Sequence, residues 1–276
     1  MSAAEVSVAG HFGELVQGRL GASGPLALIT LPCPALLARA TAEGTAASHR
    51  PRQFTLHQPG ARALTRSEAA RFLRALDLPL RGRFTLRLDM PPGGGAGAST
   101  AARVALARAA GEYDPARIAH ACRITEGASD PLMLPRPERL LWASREGRIL
   151  AALPPLPRLE VLGGFFGPGQ RTDPQDLNFP DISDLVARWP DACAKGAAAV
   201  AALASLSAAR TLAQRGPNPD PTAALAARHG ALGWAIAHTG AARALLFTPG
   251  TVPQGAQADL RRAGFSRITA FRVGGD

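Results

Sequence analysis

Apolar and polar positions alternate through the first 60 residues, which predicts β structure with tight turns. Val6 and Val8 alternate in a short first strand, Leu26 to Leu31 form a second, Ala35 to Ala42 a third and Gln53 to His57 a fourth. Between the first two, His11-Phe12-Gly13-Glu14-Leu15-Val16-Gln17-Gly18 reads on its own as a hairpin or bulge with two turn glycines and surface polar groups. Ser67 is placed to cap a helix from Glu68 to Leu78. Phe84, Leu86, Leu88 and Met90 then alternate with Thr85, Arg87 and Asp89, the pattern of a half-buried strand.

Pro91 and Pro92 stop that strand, and Gly93, Gly94, Gly95 and Gly97 make a turn that side chains would obstruct. From Ala98 the chain is alanine-rich and predicts a helix, with Ser99 and Thr100 in its first turn. A strand, a glycine loop and a helix start in succession make an anion site. The first amides of a helix lack internal partners and lie at the positive end of its dipole. No Gly-Lys-Ser/Thr follows the loop, so it is not a Walker A loop. The acidic residue that a dinucleotide fingerprint expects about 20 positions on is missing too.

Asp114 with Pro115 predicts another helix start. That helix runs to about Thr125 and ends in Glu126-Gly127-Ala128-Ser129-Asp130, where two carboxylates either converge on a cation or proton or form an ordinary polar turn. Leu132 to Leu134, Leu140 to Ala143 and Ile149 to Leu153 read as short strands. Pro154, Pro155 and Pro157 mark a domain boundary, giving segments 1–154 and 155–276. Leu159 to Leu162 is a strand and Gly163 to Pro180 an irregular loop. Helices are expected over Asp181 to Gln214, broken near Pro190, and over Pro221 to His238. Strand Arg243 to Phe247, helix Gln254 to Ala263 and strand Arg267 to Val273 complete an α+β layer with an antiparallel sheet.

Composition narrows the function classes. The 276 residues suffice for a substantial core, and no apolar run approaches the roughly 18 residues of a membrane span. The first ten residues carry no secretion-signal pattern, so a cytoplasmic protein without a membrane partner is expected. The net charge of +10 does not indicate a nucleic-acid partner: 30 of the 31 basic residues are arginines scattered along the chain, and aromatics are only 5%. Such a surface attracts anionic substrates. Cys33, Cys122 and Cys193 are odd in number and far apart, indicating buried free thiols rather than a zinc site or disulfides.

The stretch Pro91-Pro92-Gly93-Gly94-Gly95-Ala96-Gly97-Ala98-Ser99-Thr100-Ala101 resembles the second motif of the GHMP kinase superfamily, Pro-x-x-x-Gly-x-Gly-Ser-Ser/Thr-Ala. Gly13-Glu14-Leu15-Val16-Gln17-Gly18 resembles the Gly-Glu-Leu-Ile-Gln-Gly segment of the L-threonine kinases of cobalamin side-chain synthesis, within that superfamily. The order of matches continues with Glu126 to Asp130, a strand followed by Thr172 and Asp173, and Ala237-His238-Thr239-Gly240, similar to the family's Ala-His-Ser-Gly.

The resemblance implies a two-domain α+β fold, an N-terminal domain like the second domain of ribosomal protein S5 and a ferredoxin-like C-terminal domain. It implies transfer of the ATP γ-phosphoryl to a small-molecule hydroxyl, of L-threonine or a related hydroxy amino acid. Homoserine, a sugar alcohol, or a nucleotide-binding regulator without catalysis are the alternatives. Pro92, Gly93, Gly94, Gly95, Ala96, Gly97, Ala98, Ser99 and Thr100 would hold ATP. Ser99 and Glu126 would bind magnesium, and Asp130 would act as base or orient the hydroxyl. His11, Glu14, Gln17, His238, Thr239 and Gly240 would meet the acceptor, with Glu14 and Gln17 on its ammonium and polar atoms. The chain departs from the superfamily in three places. The lysine that some branches carry near the start is absent, since Lys195 is the only lysine. Ala9-Gly10-His11-Phe12 replaces Pro-Ala-Ser-Cys, and Glu126 to Asp130 is one residue longer than in the threonine kinases.

Overall fold

A computed structural model describes residues 4–44, 53–170, 173–217 and 219–275. Its spine is a long antiparallel hairpin of β1 (Val6–Arg19) and β2 (Leu26–Glu43). The turn expected within residues 11–18 is instead the middle of β1. Its glycines are absorbed by register shifts at Ala9/Gly10, His11/Glu14 and Glu14/Val16, bulges that re-aim the side chains between them. The two strands expected over 26–42 are one. Ala9 pairs with Leu37 but Gly10 with Cys33, so residues 34–36 loop out where Pro34 has no amide to donate.

β3 (Thr55–His57), α1 (Arg66–Ala75), β4 (Arg83–Leu88), α2 (Ala98–Ala109) and α3 (Pro115–Glu126) follow. Thr65, not Ser67, caps α1, in a reciprocal capping box with Glu68. Asp114 caps α3, and Glu126 is that helix's last residue, stopped by Gly127 at φ +81°. Residues 132–134 are a turn, with Leu134 N donating to Pro131 O, rather than a strand. β5 (Leu140–Ala143) and β6 (Arg148–Ala152) form a hairpin on β2, and Pro154, Pro155 and Pro157 lie in the extended connection to β7 (Leu159–Phe165).

α4 (Ser183–Lys195) runs through Pro190 and ends at Gly196, whose φ of +101° suits glycine, so the break falls there before α5 (Ala197–Arg215). The helix expected over residues 221–238 is α6 (Thr222–Arg228) followed by a strand, β8 (Gly233–Ile236). A Cβ at Gly233 would stand 2.2 Å from Ala201 O of α5. The residue therefore lets β8 lie against that helix. β9 (Ala242–Phe247), α7 (Ala256–Arg262) and β10 (Ser266–Val273) close the chain.

The sheet order is β10-β7-β9-β8-β1-β2-β4-β3, so the two halves of the chain share one sheet. They join at Glu14 opposite Ile236. α2 packs on β1, β2 and β4, and α5 packs on β1 and β8. This burial explains why β1 is apolar on both faces, with Phe12, Leu15 and Val16 fully enclosed. The three cysteines are buried free thiols, and burial pushes Cys33 up to about 12. Among the described residues no helix is long and apolar enough to cross a membrane.

Candidate active site

The glycine loop joins β4 to α2, and three sides of the molecule grip it. Gly94 O accepts the amides of Ala241 and Ala242, Ala96 O that of His11, and Gly93 O that of Gln170. Gly95 and Gly97 hold φ near +70°. A Cβ on Gly95 would lie 2.3 Å from both Ala237 Cβ and Thr239 O, and one on Gly97 would lie 2.5 Å from the His11 ring. The loop carbonyls are thus spent on the protein. Ala101 N is the first amide of α2 to reach back a full turn, to Gly97 O. The amides of Ala98, Ser99 and Thr100 ahead of it have no such carbonyl, and they stand at the positive end of the helix.

These residues line a cleft of about 330 Å³, together with Pro92, Gly93, His11, Glu14, Glu126, Asp130, His238 and Thr239. Gly94 and Ala96 do not line it: Gly94 packs on Phe165, and Ala96 is buried.

Opposite the loop lies the acidic segment after α3. Asp130 N donates to Thr100 Oγ1 over 3.3 Å, and Ser129 is fixed by Trp142 Nε1 on its carbonyl and by its own amide on Ser144 O. These bonds aim the Asp130 carboxylate into the cleft. His11 Nε2 stands 3.4 Å from it and His11 Nδ1 stands 3.5 Å from Glu14. Burial opposes charge on His11, but Asp130 and Glu14 outweigh it and push the imidazole up to about 9. Burial pushes Glu14 up to about 7 against the pull of His11. Burial also works to raise Asp130, yet His11 wins and holds it below the usual carboxylate range. Among the described residues, His11, Glu14 and Asp130 form the cluster whose ligand atoms converge closely enough to hold an ion.

Ser99 and Glu126 are also brought together, with Arg103 between them. Its Nη1 donates to Ser99 Oγ, to Ser99 O at 3.3 Å and to Glu126 Oε2 at 2.8 Å. Burial raises the Glu126 pKa, and Arg103 opposes that rise. Magnesium needs oxygens at about 2.0–2.1 Å and several waters. A guanidinium already seated on both oxygens leaves no such space, so Ser99 and Glu126 as arranged here do not fit the ion.

Residues 237–240 follow a strand rather than a helix, forming the β8–β9 turn. His238 N donates to Glu14 Oε2 over 2.5 Å. The His238 ring stacks on Phe179 with centroids 3.9 Å apart, and the Arg215 guanidinium lies 3.9 Å over the same Phe179 ring. Both ring nitrogens of His238 are buried without a partner. Burial, then Arg145 and Arg215, pull its pKa down to about 3. Gly240 packs behind the loop and faces a second cavity of about 540 Å³ on the other side of His238 and Thr239.

Gln17 does not reach either cavity. Its amide donates to Ser207 Oγ and its side chain to Ile236 O, tying β1 to α5 and β8. It is a structural residue because it lies beyond the bulges that turn Glu14 toward the cleft. Thr172 lies outside the described residues. Asp173 is exposed, and its carbonyl accepts Arg145 Nη2. Sequence reasoning missed Arg103, Arg145, Phe179 and Arg215. The one usable signal was the four-residue spacing of Ser99 and Arg103 on a single helix face.

No family model and no curated protein matches the sequence. Solved structures do. Mevalonate kinase from methicillin-resistant Staphylococcus aureus aligns with a TM-score of 0.65 at 16% identity, covering 100% of both chains. Mevalonate kinase from L. major, in complex with R-mevalonate, aligns with a TM-score of 0.65 at 15% identity over 99% of this chain and 96% of that one. Homoserine kinase from Cytophaga hutchinsonii gives 0.55 and 16% over 99% and 94%. At these identities the likeness speaks for architecture, and over its whole length the chain has the two-domain α+β fold of the GHMP kinases.

Proposed function

We propose that this chain is an ATP-dependent kinase that phosphorylates the hydroxyl of a small hydroxy amino acid, L-threonine in the first place, in cobalamin side-chain synthesis. The observation that carries the reading is that the open amides at the start of α2 and the ionised Asp130 carboxylate face one cleft, with Thr100 bonded to Asp130. Phosphoryl transfer needs alignment and charge neutralisation more than covalent help. The loop amides and the helix dipole supply both for a triphosphate.

In this reading the acceptor hydroxyl donates to Asp130. Its oxygen forms a bond to the γ-phosphorus, the bond from that phosphorus to the β–γ bridging oxygen breaks, and ADP leaves with the electron pair. The hydroxyl proton passes to Asp130. Glu14, held by His11 and the His238 amide, faces an acceptor ammonium, and the arginine at 145, with its Nε buried and unpartnered, faces a carboxylate. An acceptor carrying both an ammonium and a carboxylate complements this pair of opposite charges, which a polyol does not, and that favours an amino acid.

The test is ADP release over a panel of L-threonine, L-serine, L-homoserine and polyols. Turnover with L-threonine above the others is expected. Turnover confined to a polyol would overturn the acceptor class, and nucleotide binding without turnover on any hydroxyl would overturn the kinase.

A further inference from the structure

The most anomalous side chain in the cleft is Arg103. It springs from the second turn of α2, and helical side chains lean toward the N-terminus. Its guanidinium therefore lies beside the first turn, among the amides of the proposed phosphate seat. A cation there opposes the helix dipole. Arg103 is nevertheless only 2% exposed, so water does little to screen that opposition.

Glu126 compensates part of the charge. All three contacts of the side chain, to Ser99 Oγ, Ser99 O and Glu126 Oε2, are made by Nη1. Nη1 carries two of the five donors of a guanidinium. Nε is buried with no partner. Arg103 lines the same cleft as Ala98, Ser99 and Thr100, and a phosphate oxygen is the acceptor that both the helix amides and a planar guanidinium favour.

We propose that Arg103 is the resident cation of the phosphate site. It fills the place between Ser99 and Glu126 that a magnesium ion would need, and it pairs directly with the polyphosphate of the bound nucleotide. The proposal rests on the kinase reading for the identity of the anion. Ser99 and Glu126 then position the guanidinium instead of ligating a metal. Nucleotide held this way does not require a divalent ion on these two oxygens.

The experiment is calorimetric binding of the non-hydrolysable analogue AMP-PNP to the full chain, in magnesium and in EDTA, with Mn²⁺ electron paramagnetic resonance on the same samples. Wild type is expected to bind AMP-PNP in EDTA nearly as well as in magnesium. Arg103→Met is expected to lose roughly ten- to a hundredfold in EDTA, the scale of a buried charge-assisted hydrogen bond. Magnesium should recover much of that loss, because the freed Ser99 and Glu126 oxygens can now hold the ion. An Mn²⁺ signal abolished by adding Glu126→Gln to Arg103→Met should accompany the recovery. Arg103→Lys, which keeps the charge, serves where Arg103→Met fails to fold, and is expected to retain binding in EDTA.

Wild-type binding that collapses in EDTA as far as that of Arg103→Met, or a wild-type Mn²⁺ signal removed by Glu126→Gln, would overturn the role of Arg103 and leave the kinase standing. No AMP-PNP binding to wild type in either buffer would overturn the kinase reading and this proposal with it.

Discussion

His11 Nε2 lies 3.4 Å from Asp130 Oδ2, while the opposite edge of the same ring lies 3.5 Å from Glu14 Oε1. A buried imidazolium therefore bridges a carboxylate from the acidic segment and one from its own strand. His11 is one of the four residues, Ala9 to Phe12, that depart from the motif this segment resembles. It also explains how two buried carboxylates coexist without a lysine.

That bridge makes stability depend on pH. The folded pKa of His11, about 9, lies above the ordinary histidine value of 6.5. Between those values the folded protein binds a proton that the unfolded chain has released, so the stability His11 contributes is full below about pH 6.5 and is lost as pH rises through about 9. Glu14, raised from 4.5 to about 7, acts in the same direction over a lower window, its contribution lost between about pH 4.5 and 7. The melting temperature should fall across the His11 window, and His11→Gln should flatten the dependence. A wild-type melting curve that is level from pH 6.5 to 9 would contradict the bridge.

Asp130→Asn keeps the shape of the side chain and its backbone bond to Thr100 but removes the charge that receives the hydroxyl proton in the proposed reaction. Acid–base groups of this kind contribute about 10²- to 10⁴-fold. A fall in kcat of that size is expected in the ADP-release assay, with AMP-PNP affinity little changed because the amides of the proposed phosphate seat are untouched. A variant with near-normal kcat would show transfer without a protein base.

The fold was legible where the pattern was local. The strand–loop–helix around residue 95 and the Asp114 cap follow from periodicity, glycine and capping chemistry, and the structure has them as read. Misreadings arose where tertiary contacts override local preference. Gly13, at φ +82°, looks like a hairpin turn, but it lies inside β1, against Ile236 of β8. Residues 233–236, Gly-Trp-Ala-Ile, sit in an alanine-rich context that suits a helix. They become a strand because Leu245 and Ala244 of β9 pair with them. Gln17 looked equivalent to Glu14 in the motif, and the bulge that separates their directions leaves no mark in composition. Arg103 was hidden among 30 arginines, since only the folded α3 shows that Glu126 is its partner.

Gly95 and Gly21 offer a controlled comparison, because their φ values are +72° and +74°. An added Cβ at Gly21 meets nothing within 4 Å, whereas at Gly95 it meets Ala237 and the Thr239 carbonyl at 2.3 Å. Gly21→Ala should cost only the left-handed backbone penalty, about 1–2 kcal/mol. Gly95→Ala should cost that plus the displacement of the β8–β9 turn, adding about 1–3 kcal/mol for overpacking and weakening AMP-PNP binding. Equal denaturation midpoints for the two variants would contradict the close approach of loop and turn.

Arg243 supports the same turn from behind. Its Nε donates to Asp220 Oδ2 over 2.7 Å and its Nη1 to Gly240 O over 3.0 Å, with both side chains of the ion pair almost fully enclosed. Removing one partner strands the other charge, so Arg243→Met should cost about 3–5 kcal/mol in urea denaturation. Arg243→Met with Asp220→Leu removes both charges and should recover most of that loss. It does not restore the bond to Gly240 O, and Gly240 packs directly against Gly93 and Gly95 of the glycine loop. The double variant is therefore expected to be near wild type in stability yet to have a raised KM for ATP. A normal KM would show that the turn holds the loop without Arg243.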